Sequence, residues 1–297
     1  MDRQSPLALD HNPLPKGALT MKKSLIILSV CLIVVGLVLT AATIFSTNFT
    51  FDFFDRCSTQ TVHEITEDFQ NISIRVDTSD VRFFLSDDNT CRVVSTEANG
   101  QYHFVQVDNN TLTIGHGIQR YWYEALFSFG EMALDIYLPR SRYVAFHLGS
   151  DTGDLDMPAD FLFSTADIET DTGDIRWQAD VTGRCSISTD TGNVELKGAQ
   201  LGNLELEADT GDVTLTDTIA ANMMDIETNT GDVTFDRVDG GSIHVETDTG
   251  DVTGTFATEK LFRGESDTGR IQIPWDTRGG DCIVITDTGD IKLSIAQ

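Results

Sequence analysis

The chain has 297 residues, of which 20 are Lys or Arg and 47 are Asp or Glu, and its formal charge at pH 7 is −27. Recognition of nucleic acid requires a basic surface, so this excess of carboxylates excludes a nucleic-acid partner. Five cysteines in a chain of this length do not form a disulfide framework.

The N-terminal segments predict a membrane anchor. Residues 1–23 form a short polar arm, and residues 24–46 carry no charged side chain and are long enough to cross a bilayer as a helix. Lys22 and Lys23 precede this span, whereas only Arg56 follows it closely. The positive-inside rule then places the arm in the cytoplasm and the remaining chain outside. We expect a single-pass protein of the cell membrane that contacts the lipid bilayer through residues 24–46.

A cleaved signal peptide that begins at Met21 is the alternative, because two lysines precede the apolar run and small residues follow it at 40–42. We favour the uncleaved anchor, since the apolar run is longer than a typical signal core. Residues 47–61 are then a juxtamembrane linker.

Residues 62–142 are predicted to form a β-rich N-terminal cap and a first coil. The apolar pattern around residues 77–80 matches that of the later repeats in degenerate form, and residues 87–90 and 108–111 are typical of hairpin turns. The aromatic segment 121–129 is expected to pack over the end of the repeats. Terminal units of a stacked repeat need such a cover.

The remaining chain, residues 143–297, carries eight copies of Asp-Thr-Gly-Asp or a close variant. The glycines are 19 or 20 residues apart, a period typical of stacked units rather than of one globular core. We assign as structural turn residues Gly153, Gly173, Gly192, Gly211, Gly231, Gly250, Gly269 and Gly289.

Alignment on the glycines predicts which side chains face inward. The positions seven and five residues before the glycine, and two and four after it, are apolar in most units, and the positions between them are mostly polar. Side chains in a strand alternate between faces, so each unit holds two short strands joined by a Thr-Gly corner. About nine further residues suffice for a third side. We predict an all-β fold, a parallel β-solenoid (β-helix) of about 19–20 residues per coil, preceded by the transmembrane helix. Eight antiparallel hairpins are the alternative.

The corner residues have a structural interpretation. Glycine tolerates positive φ, which indicates a left-handed or otherwise special corner. Asp and Asn side chains are expected to accept hydrogen bonds from backbone N–H groups one or two residues further on. Asn193 and Asn229 replace Asp in two units, which favours capping over a role that needs charge. Thr170 shares the parity of Ile168 and is expected to belong to a partly buried ladder of hydroxyl groups.

Calcium is a further hypothesis for the acidic corners. Stacked coils would align the aspartates about 4.8 Å apart, a spacing at which their repulsion is tolerable without metal. The repeat also lacks the spacing of calcium-binding β-rolls. The candidate calcium ligands are Asp151, Asp171, Asp190 and Asp209.

No catalytic residue is assigned. Asp-Thr-Gly also occurs in aspartic proteases, but a dyad needs two special carboxylates and nothing distinguishes a pair here. The six histidines are scattered. Cys185 and Cys282 occupy an inward position and are predicted to be buried thiols, and a Cys57–Cys91 disulfide is the alternative outside the membrane.

Several stretches resemble a bacterial membrane-anchored family of unknown function, the "putative adhesins" with β-strand repeats. They are residues 69–72, the repeated Thr-Asp-Thr-Gly-Asp-Val, and the closing segments 279–282 and 286–291. The resemblance extends from about residue 69 to the C-terminus. It implies a single-pass protein with a β-helical ectodomain, a role in adhesion or envelope stress, and no catalytic residues.

We therefore interpret the chain as a non-enzymatic, membrane-tethered, extracytoplasmic β-solenoid without a cofactor. It would act as a cell-surface adhesin or an interaction scaffold for an unknown surface ligand. The alternative is an accessory or sensor protein of an envelope-stress response that acts with a membrane protein. A carbohydrate-active β-helix enzyme is the third hypothesis.

Overall fold

A computed structural model describes residues 59–97, 101–118, 132–275 and 278–296. The predicted arm and span, and the aromatic segment 121–129, lie outside these ranges. Within them, no helix is long and apolar enough to cross a membrane. The first strand begins at Thr59, inside the segment that the sequence assigns to the linker.

The described residues form 22 β-strands. In chain order they are β1 Thr59–Ile65, β2 Asn71–Thr78, β3 Asp80–Leu85, β4 Cys91–Glu97, β5 Gln101–Asp108, β6 Thr111–Ile118, β7 Ala133–Leu138, β8 Arg142–Thr152, β9 Leu155–Met157, β10 Leu162–Thr172, β11 Ile175–Trp177, β12 Asp180–Thr191, β13 Val194–Lys197, β14 Gln200–Thr210, β15 Val213–Thr216, β16 Ile219–Thr230, β17 Val233–Thr249, β18 Val252–Phe256, β19 Lys260–Thr268, β20 Ile271–Gln272, β21 Gly280–Thr288 and β22 Ile291–Ile295.

The strands of the repeats pair in parallel with their equivalents in neighbouring units. Ile187 of β12 lies opposite Ile168 of β10 on one side and Leu206 of β14 on the other. The strands after each corner pair in the same way, with Val194 of β13 between Ile175 and Val213. The fold is therefore all-β, mostly parallel and solenoid-like. The antiparallel-hairpin alternative is wrong for the repeats. We call one strand before a corner, the corner and the strand after it a coil.

The core runs along the inside of the stacked coils. The inward positions named from the sequence are buried in nearly every coil, as at Ile168, Ile187 and Val194. The strands before the corners in the middle of the stack, β10, β12, β14, β16 and β17, also bend several residues before the corner. The pairing register shifts there, for example between Phe163 and Ala166. This bend supplies the third side of the coil. The inward residues of this side do not form an aliphatic pattern in the sequence, because several of them are small or polar. They include Phe161, Ala179, Ala199, Thr218 and Val238.

The N-terminal end is closed by strands that precede the repeats. β2 pairs with β8 and β3 with β9, so Ile72 lies opposite Phe146 and Val81 opposite Leu155. Residues 71–85 therefore form the expected first coil. On its other side β6 and β7 add another parallel layer, and β1, β4 and β5 cover that layer with antiparallel strands.

Of the two predicted hairpin turns in this cap, one is confirmed and one is wrong. β5 and β6 form an antiparallel hairpin at residues 108–111, where Asn109 and Asn110 both have positive φ. Residues 87–90 join β3 to β4, but these two strands are separated by β7, which pairs with both. Alternating polarity predicts that a strand exists and not which strand it pairs with.

The C-terminal end does not follow chain order. β21 pairs with β17 on one side and β19 on the other, so Cys282 lies between Ile243 and Phe262. The last coil of the chain, β21–β22, is therefore inserted between coil β17–β18 and coil β19–β20. The buried Lys260 ammonium forms an ion pair with the carboxylate of Asp239 across this inserted layer.

Candidate functional site: the acidic corner face

The Thr-Gly corners stack along one edge of the coils and form what we call the corner face. It consists of the residues two and one before each glycine and the residue after it. In all eight repeats the Asp or Asn and the Thr before the glycine are exposed.

The corner glycines are required by the closeness of the coils. A Cβ on Gly192 would lie 2.0 Å from the carbonyl oxygen of Gly173, and a Cβ on Gly250 would lie 1.9 Å from that of Gly231. Gly192 has a φ of 151°, but the φ of Gly250 is outside the positive range that disfavours side chains. Positive φ, the reason expected from the sequence, therefore holds for only some corners, and the close backbone approach is common to all.

The residue after each glycine joins one coil to the next. Oδ1 of Asp174 accepts a hydrogen bond from the backbone N–H of Asn193 at 2.9 Å. Oδ1 of Asn193 accepts from the N–H of Asp212 at 2.9 Å, and Oδ1 of Asp212 from that of Asp232 at 3.0 Å. The acceptor thus serves the equivalent residue of the neighbouring coil, not an N–H one or two residues further on. Because Asn193 fits this ladder, negative charge is not required for it.

Arg270 stands at the position of the ladder aspartate in the outermost described coil. Its N–H donates to Oδ1 of Asp290 at 2.8 Å, so the ladder follows the inserted order of the coils. No described coil lies beyond Arg270, so no backbone N–H of a further coil needs an acceptor at this position. Hydrogen bonds from the Arg270 guanidinium hold the pKa of the Asp290 carboxyl below its usual range.

The second acidic row of the corner face contains the four calcium candidates, which lie on successive coils two residues before their glycines. The Nδ2 of Asn229 donates to Oδ1 of Asp209 at 3.0 Å, a side-chain contact along this row. Among the described residues, no group of three or more His, Cys, Asp or Glu side chains is placed to hold a metal ion. The carboxylates of Asp151, Asp171, Asp190 and Asp209 are aligned in a row and do not converge.

The position three before the glycine is buried in seven of the eight repeats, and Ser266 in the outermost described coil is half-buried. Thr170, Thr189, Thr228 and Thr247 are almost completely covered, and the expected hydroxyl ladder is thereby confirmed. The position four before the glycine faces outward and extends the acidity of the corner face onto the adjoining sheet, through Glu169, Glu207, Glu227 and Glu246.

Three histidines of the N-terminal cap come together, which the sequence did not indicate. His103 and His116 are directly paired across the β5–β6 hairpin, and His63 on β1 also acts electrostatically on the His103 ring. His103 and His116 stand opposite one another in the hairpin that turns at residues 108–111, so the predicted turn relates this pair. His63 lies on β1, which pairs with β4, and no spacing in the sequence places it beside them. His147 and His244 face outward and contact Asp167 and Glu246, respectively.

Hydrogen bonding fixes the tautomer of His103. The Ser95 hydroxyl donates to the carboxylate of Glu97 at 3.1 Å, so its oxygen accepts from Nδ1–H of His103 at 2.7 Å. Nε2 of His103 then accepts from the Ser79 hydroxyl at 3.1 Å. Burial lowers the pKa of His103, which holds the ring neutral. His103, Ser79 and Ser95 are each at most 2% exposed, so this relay has a structural role.

The three cysteines that the structure describes offer no nucleophile. Cys91, Cys185 and Cys282 are buried free thiols, and burial raises the pKa of each to about 12. Cys57, the predicted alternative partner of Cys91, lies outside the described residues. The corner aspartates of the repeats occupy equivalent positions on successive coils, so none of them forms a distinct catalytic pair.

Comparison with known proteins agrees with this architecture. A family model described as Toastrack DUF4097 matches residues 69–297. A solved structure of a "putative adhesin" from Parabacteroides distasonis ATCC 8503 is 15% identical, with a TM-score of 0.50 over 80% of this chain and 98% of that chain. Another from Bacteroides fragilis NCTC 9343 is 13% identical, with a TM-score of 0.51 over 80% and 99%. At these identities the likeness concerns the fold alone. No curated protein matches the chain.

Proposed function

The chain belongs to the Toastrack DUF4097 family, and on that premise we propose that it is a non-enzymatic, adhesin-like scaffold whose corner face binds a partner at the cell surface. Residues 24–46 anchor it in the membrane, with the N-terminus in the cytoplasm and the coils outside. The hydropathy and charge of the N-terminal segments support this placement.

One observation carries the proposal. The glycine and the residue after it are explained by coil stacking, but the exposed Asp-Thr pair before the glycine is not. The residue before the glycine is Thr in all eight repeats. The residue before that Thr is Asp in seven repeats and Asn229 in the remaining one. Of the described side chains in this Asp column, only Asn229 and Asp209 hydrogen-bond to one another. Because the Asp-Thr pair recurs although coil stacking does not require it, we infer that these side chains form a binding surface.

The chemistry of the corner face limits its partner. Rows of carboxylate and hydroxyl groups repeat at roughly 4.8 Å along the stacked coils. Such a surface suits an extended ligand that is cationic or rich in hydroxyl groups, and it repels anionic polymers. The partner class we favour is therefore a repetitive surface polymer or a basic protein surface.

The test compares the intact chain with residues 59–297, each used to capture binding partners from the cell envelope. The described coils contain their own continuous core, so the shorter chain retains the corner face. We expect both forms to retain the same external ligand. The double variant Asp171→Ser/Asp190→Ser should no longer capture this ligand. The control variant Asp156→Ser/Glu195→Ser removes the same charge from outward positions on the other sheet and should still capture it.

A membrane protein retained only by the intact chain would instead support the envelope-stress accessory role and argue against adhesion. Equal capture by both double variants would show that the corner face is not the binding surface.

A further inference from the structure

The C-terminal end of the coil stack leaves part of its core uncovered. Ile271 of coil β19–β20 is 44% exposed, whereas the equivalent residue of every other described repeat, such as Ile291 or Val252, is at most 1% exposed. Ile271 lies against Gly264, which has no side chain to cover it. Trp275, four residues further on, is 91% exposed. This end therefore presents apolar side chains to solvent.

The same end has a free strand edge. β19 pairs with β21 on one side, and no described strand pairs with its other edge. An unpaired edge of nine residues offers backbone donors and acceptors to another strand. The N-terminal end of the stack differs, because antiparallel strands cover it.

Local charge favours a second copy of this chain at this end. Residues 259–278 contain four acidic and four basic residues, so the other 277 residues carry the whole charge of −27. Two copies would repel one another through their acidic corner faces, and much less through this neutral stretch.

Arg270 decides between a closed pair and a fibre. A further coil in parallel register would place its ladder N–H against the residue at this position, which must accept a hydrogen bond. A guanidinium has no acceptor atom. Continued parallel stacking is therefore disfavoured, whereas an antiparallel pairing of two β19 edges around a two-fold axis does not use this ladder position.

From the exposed core end, the free edge and the local neutrality, we propose that two copies of this chain associate through coil β19–β20. Their β19 edges pair antiparallel, and the contact covers Ile271, Ile273 and Trp275 of both copies. The association is closed, because each copy uses the same surface.

Sedimentation velocity of the intact chain in detergent tests the association. We expect a dimer at micromolar concentration, weakened at least tenfold by Trp275→Glu, a change at a side chain too exposed to affect folding. Ile271→Glu should act in the same direction. Met223→Glu, which adds the same charge to a partly exposed apolar position on β16, should leave the dimer intact. A monomer at 100-fold higher concentration, or a dimer indifferent to both end substitutions, would overturn the proposal.

Cross-linking tests the two-fold geometry. Residues near the centre of an antiparallel edge pair lie close to their own equivalents, so Glu265→Cys should give a disulfide-linked dimer on mild oxidation. Glu246→Cys occupies the same outward position in an inner coil and should remain uncross-linked. Equal cross-linking of both variants would contradict an interface at this end.

Discussion

The residues at the corners are selected by the distance between neighbouring coils. The Cβ of any other residue at Gly250 would overlap the backbone of Gly231, because the carbonyl oxygen is only 1.9 Å from the Cβ position. Gly198 is a useful contrast. Its φ of 72° is left-handed, but nothing lies within 4 Å of a Cβ there. The two positions separate the cost of crowding from the cost of backbone conformation.

We expect Gly250→Ala to lower the free energy of unfolding by about 3 kcal/mol or more, since backbone must move to make room. Gly198→Ala should cost about 1–2 kcal/mol, the penalty of a left-handed residue alone. Urea unfolding followed by circular dichroism measures both values. Equal losses would show that conformation, and not crowding, demands the corner glycine.

His103 makes the cap sensitive to pH. An unfolded histidine titrates near pH 6.5, and burial lowers the pKa of His103 in the folded chain. Above about pH 6.5 the ring is neutral in both states and its full contribution to stability is present. As the pH falls below that value the unfolded chain binds the proton more tightly, so stability decreases until the lower folded pKa is reached. Glu97 opposes this shift, and His116 and His63 add to it.

The melting temperature should therefore fall between pH 7 and pH 5, and His103→Gln should reduce that fall. The outward-facing His244→Gln serves as the control and should leave the pH dependence unchanged. Asp77, which contacts His116 at 3.0 Å, remains in both variants. An identical pH dependence in wild type and His103→Gln would exclude His103 as its source.

At the scale of the element, the corner ladder joins each pair of coils by one side-chain hydrogen bond in addition to the strand pairing. Asp212 occupies the middle of this ladder. Its carboxylate accepts a hydrogen bond from the backbone N–H of Asp232, and its own backbone N–H donates to the side-chain oxygen of Asn193. Asp209, only three residues earlier, lies in the exposed row and its carboxylate receives no backbone N–H. The same residue type therefore has two different roles within one corner.

Asp212→Ala should destabilise the chain by about 1–2 kcal/mol, because an N–H loses its charged acceptor. Asp212→Asn should be nearly neutral, as Asn193 is in the same ladder. Asp209→Ala should change the free energy of unfolding by less than about 0.5 kcal/mol. Chemical denaturation measures the three variants, and a large loss for Asp209→Ala would mean that the exposed row also supports the fold.

At the scale of the whole molecule, chain order and stacking order differ at both ends. Coil β2–β3 lies between β6–β7 and β8–β9, and coil β21–β22 lies between β17–β18 and β19–β20. Chain order would place β2–β3 outside β6–β7 and β21–β22 outside β19–β20, and the structure has the reverse at both ends. The ion pair between buried Lys260 and half-buried Asp239 spans the inserted coil at the C-terminal end.

Engineered disulfides test this order. Thr253 and Lys292 are register partners on adjacent strands, so a Thr253→Cys/Lys292→Cys variant should form an intramolecular disulfide. Gln272 lies one strand further on, about 9.6 Å from Thr253, which is too far for Thr253→Cys/Gln272→Cys to close. Mass spectrometry after oxidation distinguishes the two. Closure of the second pair and not the first would mean that the coils stack in chain order.

The sequence alone predicted the parallel coils, their period and their inward positions. It could do so because one pattern of alternating polarity recurs every 19 or 20 residues, and stacked strands in register keep equal positions on one face. The exposure of the Asp two residues before each glycine follows from the same alternation. The exposure of the adjacent Thr does not, because strict alternation would turn it inward. The reason for the corner glycines did not follow, because the space that a Cβ on Gly250 would need is taken by the carbonyl oxygen of Gly231 in the neighbouring coil.

Only the tertiary structure decided which coil lies beside which. Every coil offers the same two edges and the same inward ladder, so local sequence does not distinguish a neighbour in the chain from a more distant one. The insertion of β21–β22, the place of Arg270 at the end of the ladder and the approach of His63 to the His103–His116 pair all depend on long-range pairing. These contacts join residues that no periodic pattern relates, and the folded chain alone brings them together.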